Sequence, residues 1–268
     1  MPGAALIPAR PNWPVRRVFA WHAEGMLRRR FAAVRMVAGA AEVLAPLAAQ
    51  SGPALIVMSH ASWWDPIVGA FLWRRFFPAR DTYAPMDADQ LQQFRFMRRL
   101  GMFGIDPNDH RSMPAMLRYL DGVRDSSPHM LLMITPEGRF TDPRVPLLVR
   151  PGAAAVAARL GVRSAVAVAV EYAFWTDAKP EVFLRAVAIP VPARPTASAW
   201  QGAIGSSMQA NRELLAQRVM RREPAGFIDA ITTRARIHPV YDAWLALTGR
   251  RSAIRTAQRA SATGEAAS

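Results

Sequence analysis

ALIVMSHASWWDPIVGAFLWRRFF, residues 54–77, opens on an unbroken apolar run of strand length, Ala54–Ser59, and closes on a helical pattern, Pro66–Phe77. In the second part Ile67, Ala70, Phe71 and Arg74 recur at helical spacing. A strand with no polar alternation is buried on both faces, as in parallel sheets covered by helices. The same alternation continues along the chain. Thr82–Pro85 and Met102–Ile105 read as short strands, and Asp89–Leu100 sets Leu91, Phe94, Met97 and Leu100 on one face. Ser112–Arg124 reads as a helix capped by Ser112, MLLMI at 130–134 as a buried strand, and Pro151–Leu160 as an Ala-rich helix. Ala165–Val170 and Val182–Ile189 are further strands. The expected fold is α/β, a central, mostly parallel sheet with helices on both faces.

Four segments follow from this pattern. Residues 1–30 hold a basic amphipathic helix, Trp13–Arg30, with Val15, Val18, Phe19, Met26 and Leu27 as its apolar positions; an ordinary surface helix is the alternative. Residues 31–195 form the α/β domain. Past Pro190, Pro192 and Pro195 a helical extension spans 196–260, with helices at Met208–Arg222, Gly226–Arg234 and Pro239–Leu247. A small, polar tail, 261–268, is expected to be disordered.

The 268 residues are 51% hydrophobic and 20% charged, which excludes disordered and collagen-like classes. With no cysteine there is no disulfide, thiolate metal site or cysteine nucleophile. The five histidines show no zinc-ligand spacing, so no metal is expected. The net charge of +14 is concentrated at the ends, with +5 in residues 1–50 and +5 in residues 212–268. Basic arms suit an anionic partner such as a membrane surface, nucleic acid or an acidic carrier. No nucleic-acid module signature accompanies them, so no nucleic-acid partner is expected. Val43–Trp64 lacks charge but contains Pro46, Gly52, Pro53 and His60, which rules it out as a lipid-facing span. The start lacks the layout of a secretory signal, so the protein is expected in the cytoplasm or on the inner face of a membrane.

Candidate chemistry lies just beyond the strands. His60 follows Ala54–Ser59 on the rim where open α/β sheets place ligands, and Asp65 precedes Pro66. Asp65 can be a helix N-cap or the partner of His60. Thr135-Pro136-Glu137-Gly138-Arg139-Phe140 follows the second buried strand and, if the strands are parallel, emerges on the same rim. Asp106–Arg111 follows a third strand and offers Arg111. An imidazole held by a carboxylate can take a proton from a hydroxyl, and arginines can hold phosphate. No G-x-S-x-G elbow, Walker A loop or G-x-G-x-x-G occurs.

SHASWWDP at 59–66, TPEGRF at 135–140 and the order and interval of the two resemble the glycerolipid (lysophospholipid) O-acyltransferase family and its H-x4-D motif. The likeness covers about residues 31–190. It implies lysophosphatidate acyltransferase-like chemistry in phospholipid biosynthesis, by a peripheral membrane enzyme. A fatty acyl group would pass from acyl-CoA or acyl carrier protein, as co-substrate rather than cofactor, to a lipid acceptor. His60 would be the general base and Asp65 its orienting acid. Glu137, Gly138 and Arg139 would shape the acceptor pocket, with Arg111 available to phosphate, and Trp63 and Trp64 would line an acyl groove. Three positions depart from the family pattern. Pro107 stands where the second block carries Arg, one small residue is missing between Gly138 and Arg139, and Ser164–Val170 lacks the fourth block's proline. All three touch acceptor recognition, so a phosphate-free hydroxyl on a glycolipid or pigment is also compatible. A non-enzymatic basic lipid- or nucleic-acid-binding protein and a thioester or lipid hydrolase are the competing readings.

Overall fold

The computed structural model describes residues 6–109, 111–175 and 177–233. Asn12 begins the first helix, α1 (Trp13–Arg30), its side chain accepting from the Val15 N–H at 3.1 Å with Pro14 in the first turn. There follow β1 (Ala33–Val37), α2 (Ala40–Leu44), α3 (Pro46–Ala49), β2 (Ala54–Met58), α4 (Asp65–Phe76), β3 (Asp81–Asp87) and α5 (Ala88–Gln93). A 3-10 segment, Arg95–Leu100, leads into β4 (Met102–Ile105), α6 (Ser112–Ser126), β5 (Met130–Ile134), α7 (Gly152–Leu160) and β6 (Ser164–Ala173). β7 (Glu181–Ala188), α8 (Ala197–Arg221) and β8 (Phe227–Thr232) complete the described chain.

The strands form one sheet in the order β4-β3-β5-β2-β6-β7-β1-β8. From β4 to β6 every pairing is parallel, whereas β6–β7 and β1–β8 are antiparallel. The α/β expectation therefore holds, with antiparallel junctions on one side. β2 shows why its run is continuous: Ala54, Ile56 and Met58 pack toward α1 and α4, while Leu55 and Val57 pack toward α6, α7 and α8. Beside them, β5 runs in register from Ala54↔Leu131 to Val57↔Ile134, which brings the segments after both strands to one rim.

Several local expectations are corrected. Gly226–Arg234 is not a helix, since Phe227–Thr232 is an edge strand paired with β1. β1 itself went unread because Arg35 interrupts its apolar run. In the sheet Arg35 donates to Glu181 at 2.5 Å and to Asp229 at 2.7 Å, which ties β1 to both neighbours. Ser112 is the first residue of α6 and caps nothing. The inward face of α1 is Arg16, Ala20, Ala23 and Leu27, and Val18 faces solvent. The helix Pro239–Leu247 and the 261–268 tail lie outside the described residues.

Below the rim, at the opposite end of the strands, one buried cation closes the fold. Arg80 is 2% exposed and donates to the carbonyls of Leu47 (3.0 Å), Gln50 (2.6 Å), Gly52 (2.5 Å) and Met130 (2.8 Å). Its own carbonyl accepts from the Trp73 indole at 3.0 Å. Burial lowers its proton affinity, with Asp81 opposing. The entry to β2 and the start of β5 are thus pinned together by a single side chain.

Candidate active site

The turn between β2 and α4 carries Ser59 to Trp64. Ser59 extends the ladder, its N–H donating to Val168 and its hydroxyl accepting from the Val170 N–H at 2.8 Å. The chain then leaves the sheet at His60 and re-enters regular structure at Asp65-Pro66, the first turn of α4. Asp65 is 2% exposed and caps no helical N–H. Instead its Oδ2 lies 2.8 Å from His60 Nδ1 and accepts from the Ser62 N–H at 3.0 Å. Its Oδ1 accepts from the Tyr172 hydroxyl at 2.7 Å. Burial, then Asp65, drives the Tyr172 proton affinity far above the ordinary tyrosine range, so the phenol stays a donor. The result is a chain, Tyr172–Asp65–His60, in which the carboxylate holds the imidazole proton on Nδ1 and leaves Nε2 as the basic nitrogen.

The main chain of His60 is fixed from the other side. Its N–H donates to Glu137 Oε1 at 2.9 Å, and its carbonyl accepts from the Thr141 N–H at 2.8 Å. Phe140 lies against the imidazole with ring centroids 4.4 Å apart. Glu137 is itself buried, and its second oxygen meets Arg212 of α8 at 3.4 Å. Arg212 also donates to the carbonyls of Asp142 (2.9 Å) and Val145 (3.3 Å), so α8 holds down the whole 137–145 loop. Beside the His60 turn, a cleft of about 380 Å³ opens between Ala61–Ser62, the Phe140–Arg144 loop and the end of β6.

The family model for acyltransferases matches residues 35–171, about half the chain. The chain belongs to this family. No curated protein matches it. Among solved structures, the pilus retraction motor PilT with bound ADP is similar at 12% identity and a TM-score of 0.33, over 70% of this chain. The chain spans 61% of that structure's length, and so distant a likeness carries no argument.

In this acyltransferase the predicted residues fall into two groups. His60, Asp65, Glu137 and the Gly138 turn are brought together. Glu137 reaches the main chain of His60, with both carboxylate oxygens engaged. Gly138 has φ +67°, a left-handed conformation that favours glycine, and a Cβ there would lie 2.8 Å from the Arg150 guanidinium, which would have to move. Neither these four nor the other predicted residues line the cleft itself. Arg139 is exposed and does not line it. Arg111 forks onto Asp109, with contacts of 2.9–3.1 Å, and does not line it either. Arg150, unread in the sequence, sits nearer the turn, over Gly138, and donates to the Pro107 carbonyl at 3.3 Å. Trp64 packs edge-on to Phe31 at 4.9 Å as part of the core, and Trp63, 56% exposed, leans on Phe94, so neither lines the cleft. Tyr172, Arg212, Arg144 and Glu171 were also missed. They are 107 and 75 residues from their partners in the first two cases, and no local spacing announces them.

Proposed function

We propose that this acyltransferase moves a fatty acyl group from an acyl thioester, acyl-CoA or acyl carrier protein, to a hydroxyl of a lysophospholipid-type or other lipid acceptor. The observation that carries the reading is the 2.8 Å contact between His60 Nδ1 and an Asp65 anchored by Tyr172. In the reaction, His60 Nε2 removes the hydroxyl proton as the acceptor oxygen attacks the thioester carbonyl carbon. Collapse of the tetrahedral intermediate breaks the C–S bond, and the imidazolium returns its proton to the departing sulfur. Asp65 stabilises that imidazolium. With no cysteine and no G-x-S-x-G elbow to form an acyl-enzyme, the attack is direct.

The test is transfer from radiolabelled long-chain acyl-CoA and acyl carrier protein, with and without a panel of hydroxyl lipids. Ester formation that requires an acceptor is the expected result. Thioester consumption without any acceptor would instead identify a hydrolase.

We further propose that the enzyme works on the inner face of an anionic membrane. No helix among the described residues is long and apolar enough to cross one. What supports docking is a band of exposed rings and arginines running from α1 to the His60 turn. Trp13 lies under Arg17 at 4.4 Å, Phe19 meets Phe96, and Phe94 meets Trp63. Arg95 and Arg99 are exposed among them. Aromatic side chains suit the headgroup layer, and each arginine adds about 1 kcal/mol near anionic lipid. Sedimentation with phosphatidylcholine vesicles containing phosphatidylglycerol should show binding that weakens in high salt. A Trp63→Ser/Phe96→Ser variant should bind about tenfold more weakly, roughly 1.4 kcal/mol. Association indifferent to anionic lipid and to salt would count against docking.

A further inference from the structure

The cleft beside the His60 turn is lined by three charged side chains, Asp142, Arg144 and Glu171. Arg144 is already engaged, its guanidinium donating to Glu171 Oε1 at 2.6 Å. Glu171 is 1% exposed, yet its other oxygen, Oε2, is buried with no hydrogen-bond partner. A buried carboxylate oxygen without a donor is an uncommon and costly arrangement that a ligand's O–H would relieve. The next residue on β6 is Tyr172, the anchor of Asp65, so one strand end carries both the support of the dyad and a buried, unpaired acceptor. Past Arg144 and Tyr172, which line both, lies a second cleft of about 430 Å³ along Phe174, Trp175 and Met220. Phe174 and Met220 are 61% and 59% exposed, two apolar side chains on a cleft that Arg144 and Arg222 also line.

Resting on the acyl-transfer reading, we propose that the acceptor is a neutral polyol lipid. A hydroxyl of its glycerol or sugar head donates to Glu171 Oε2 in the first cleft, and its chain lies along Tyr172, Phe174 and Met220 in the second. A phosphate monoester is a poor occupant, because two carboxyl groups and one already-paired guanidinium meet it there. Burial raises the proton affinity of Glu171, Asp142 adds to this and Arg144 opposes it, as expected of a carboxylate short of donors. In the bound state the hydroxyl that reacts is a second one on the same head, which gives up its proton to His60, while the one held by Glu171 is unchanged.

The experiment compares wild type with Glu171→Gln, using labelled long-chain acyl-CoA. The acceptors are 1-monoacylglycerol, dodecyl glucoside and 1-acylglycerol 3-phosphate. Wild type should favour a neutral acceptor by about tenfold or more in kcat/KM. Which neutral acceptor leads distinguishes a glycerol head from a sugar. Glu171→Gln should raise the KM for that acceptor about tenfold without moving the KM for acyl-CoA. Preference for the phosphate acceptor, with the variant behaving as wild type, overturns the assignment of the cleft and leaves acyl transfer standing. No ester from any acceptor overturns both. If Glu171→Gln does not fold, the wild-type ranking of acceptors decides alone.

Discussion

His60→Ala is expected to lower kcat for acyl transfer about 10²–10⁴-fold, the usual contribution of a positioned general base. The fold should survive, because what the turn gives the structure is main-chain: the His60 N–H to Glu137 and the carbonyl to Thr141 do not depend on the ring. Because the buried Asp65 loses one of its three donors and Phe140 its ring contact, stability should still fall by about 1–3 kcal/mol. Tyr172→Phe should be milder, about tenfold, since Asp65 keeps Oδ2 on His60 and on the Ser62 N–H when Oδ1 loses its donor. The graded pair separates the reacting base from the group that positions its partner. Steady-state ester formation measures both, and undiminished activity in His60→Ala would remove the imidazole from the mechanism.

Arg80→Leu is expected to destabilise the protein by about 3–5 kcal/mol, because four carbonyls lose a charged donor at about 1 kcal/mol or more each. The leucine fills the apolar part of the site but leaves the carbonyls of Leu47, Gln50, Gly52 and Met130 without their donor. For a chain of this size that corresponds to a melting temperature lower by roughly 10 °C. Arg80→Lys should recover only part of the loss, because one ammonium cannot fork toward carbonyls on both the β2 entry and β5. Melting by circular dichroism checks both variants, and a wild-type midpoint in Arg80→Leu would show that backbone rearrangement or water replaces the guanidinium.

The parallel half of the sheet and the His60–Asp65 pair were legible for the same reason. Both are written in short spacings: a strand of continuous apolar residues, then five positions across a strand-to-helix joint whose proline marks the helix start. β1 and β8 were not legible, because their character comes from pairing. Arg35 looks foreign to a strand until Glu181 and Asp229 stand on either side of it. In β8, Ile228 faces solvent at 58% exposure while Ile231 is buried, and six residues with Asp229 among them fit a helical pattern equally well. The support of the site was hidden more deeply. Tyr172, Glu171 and Arg212 sit on β6 and α8, where local pattern marks them only as strand and helix residues. Arg111 failed in the opposite way: it stands after the expected strand, but Asp109, two residues earlier, captures it.

Arg212 lies on α8, 41 residues beyond the last position that matches the acyltransferase family model. The recognisable signature is therefore shorter than the unit that must be kept whole. An excised fragment ending at the signature would retain His60, Asp65 and Glu137 but would leave a buried carboxylate without its counter-ion and the 137–145 loop without its fastening. For anyone trimming this chain for crystallisation or grafting, α8 has to stay with the signature.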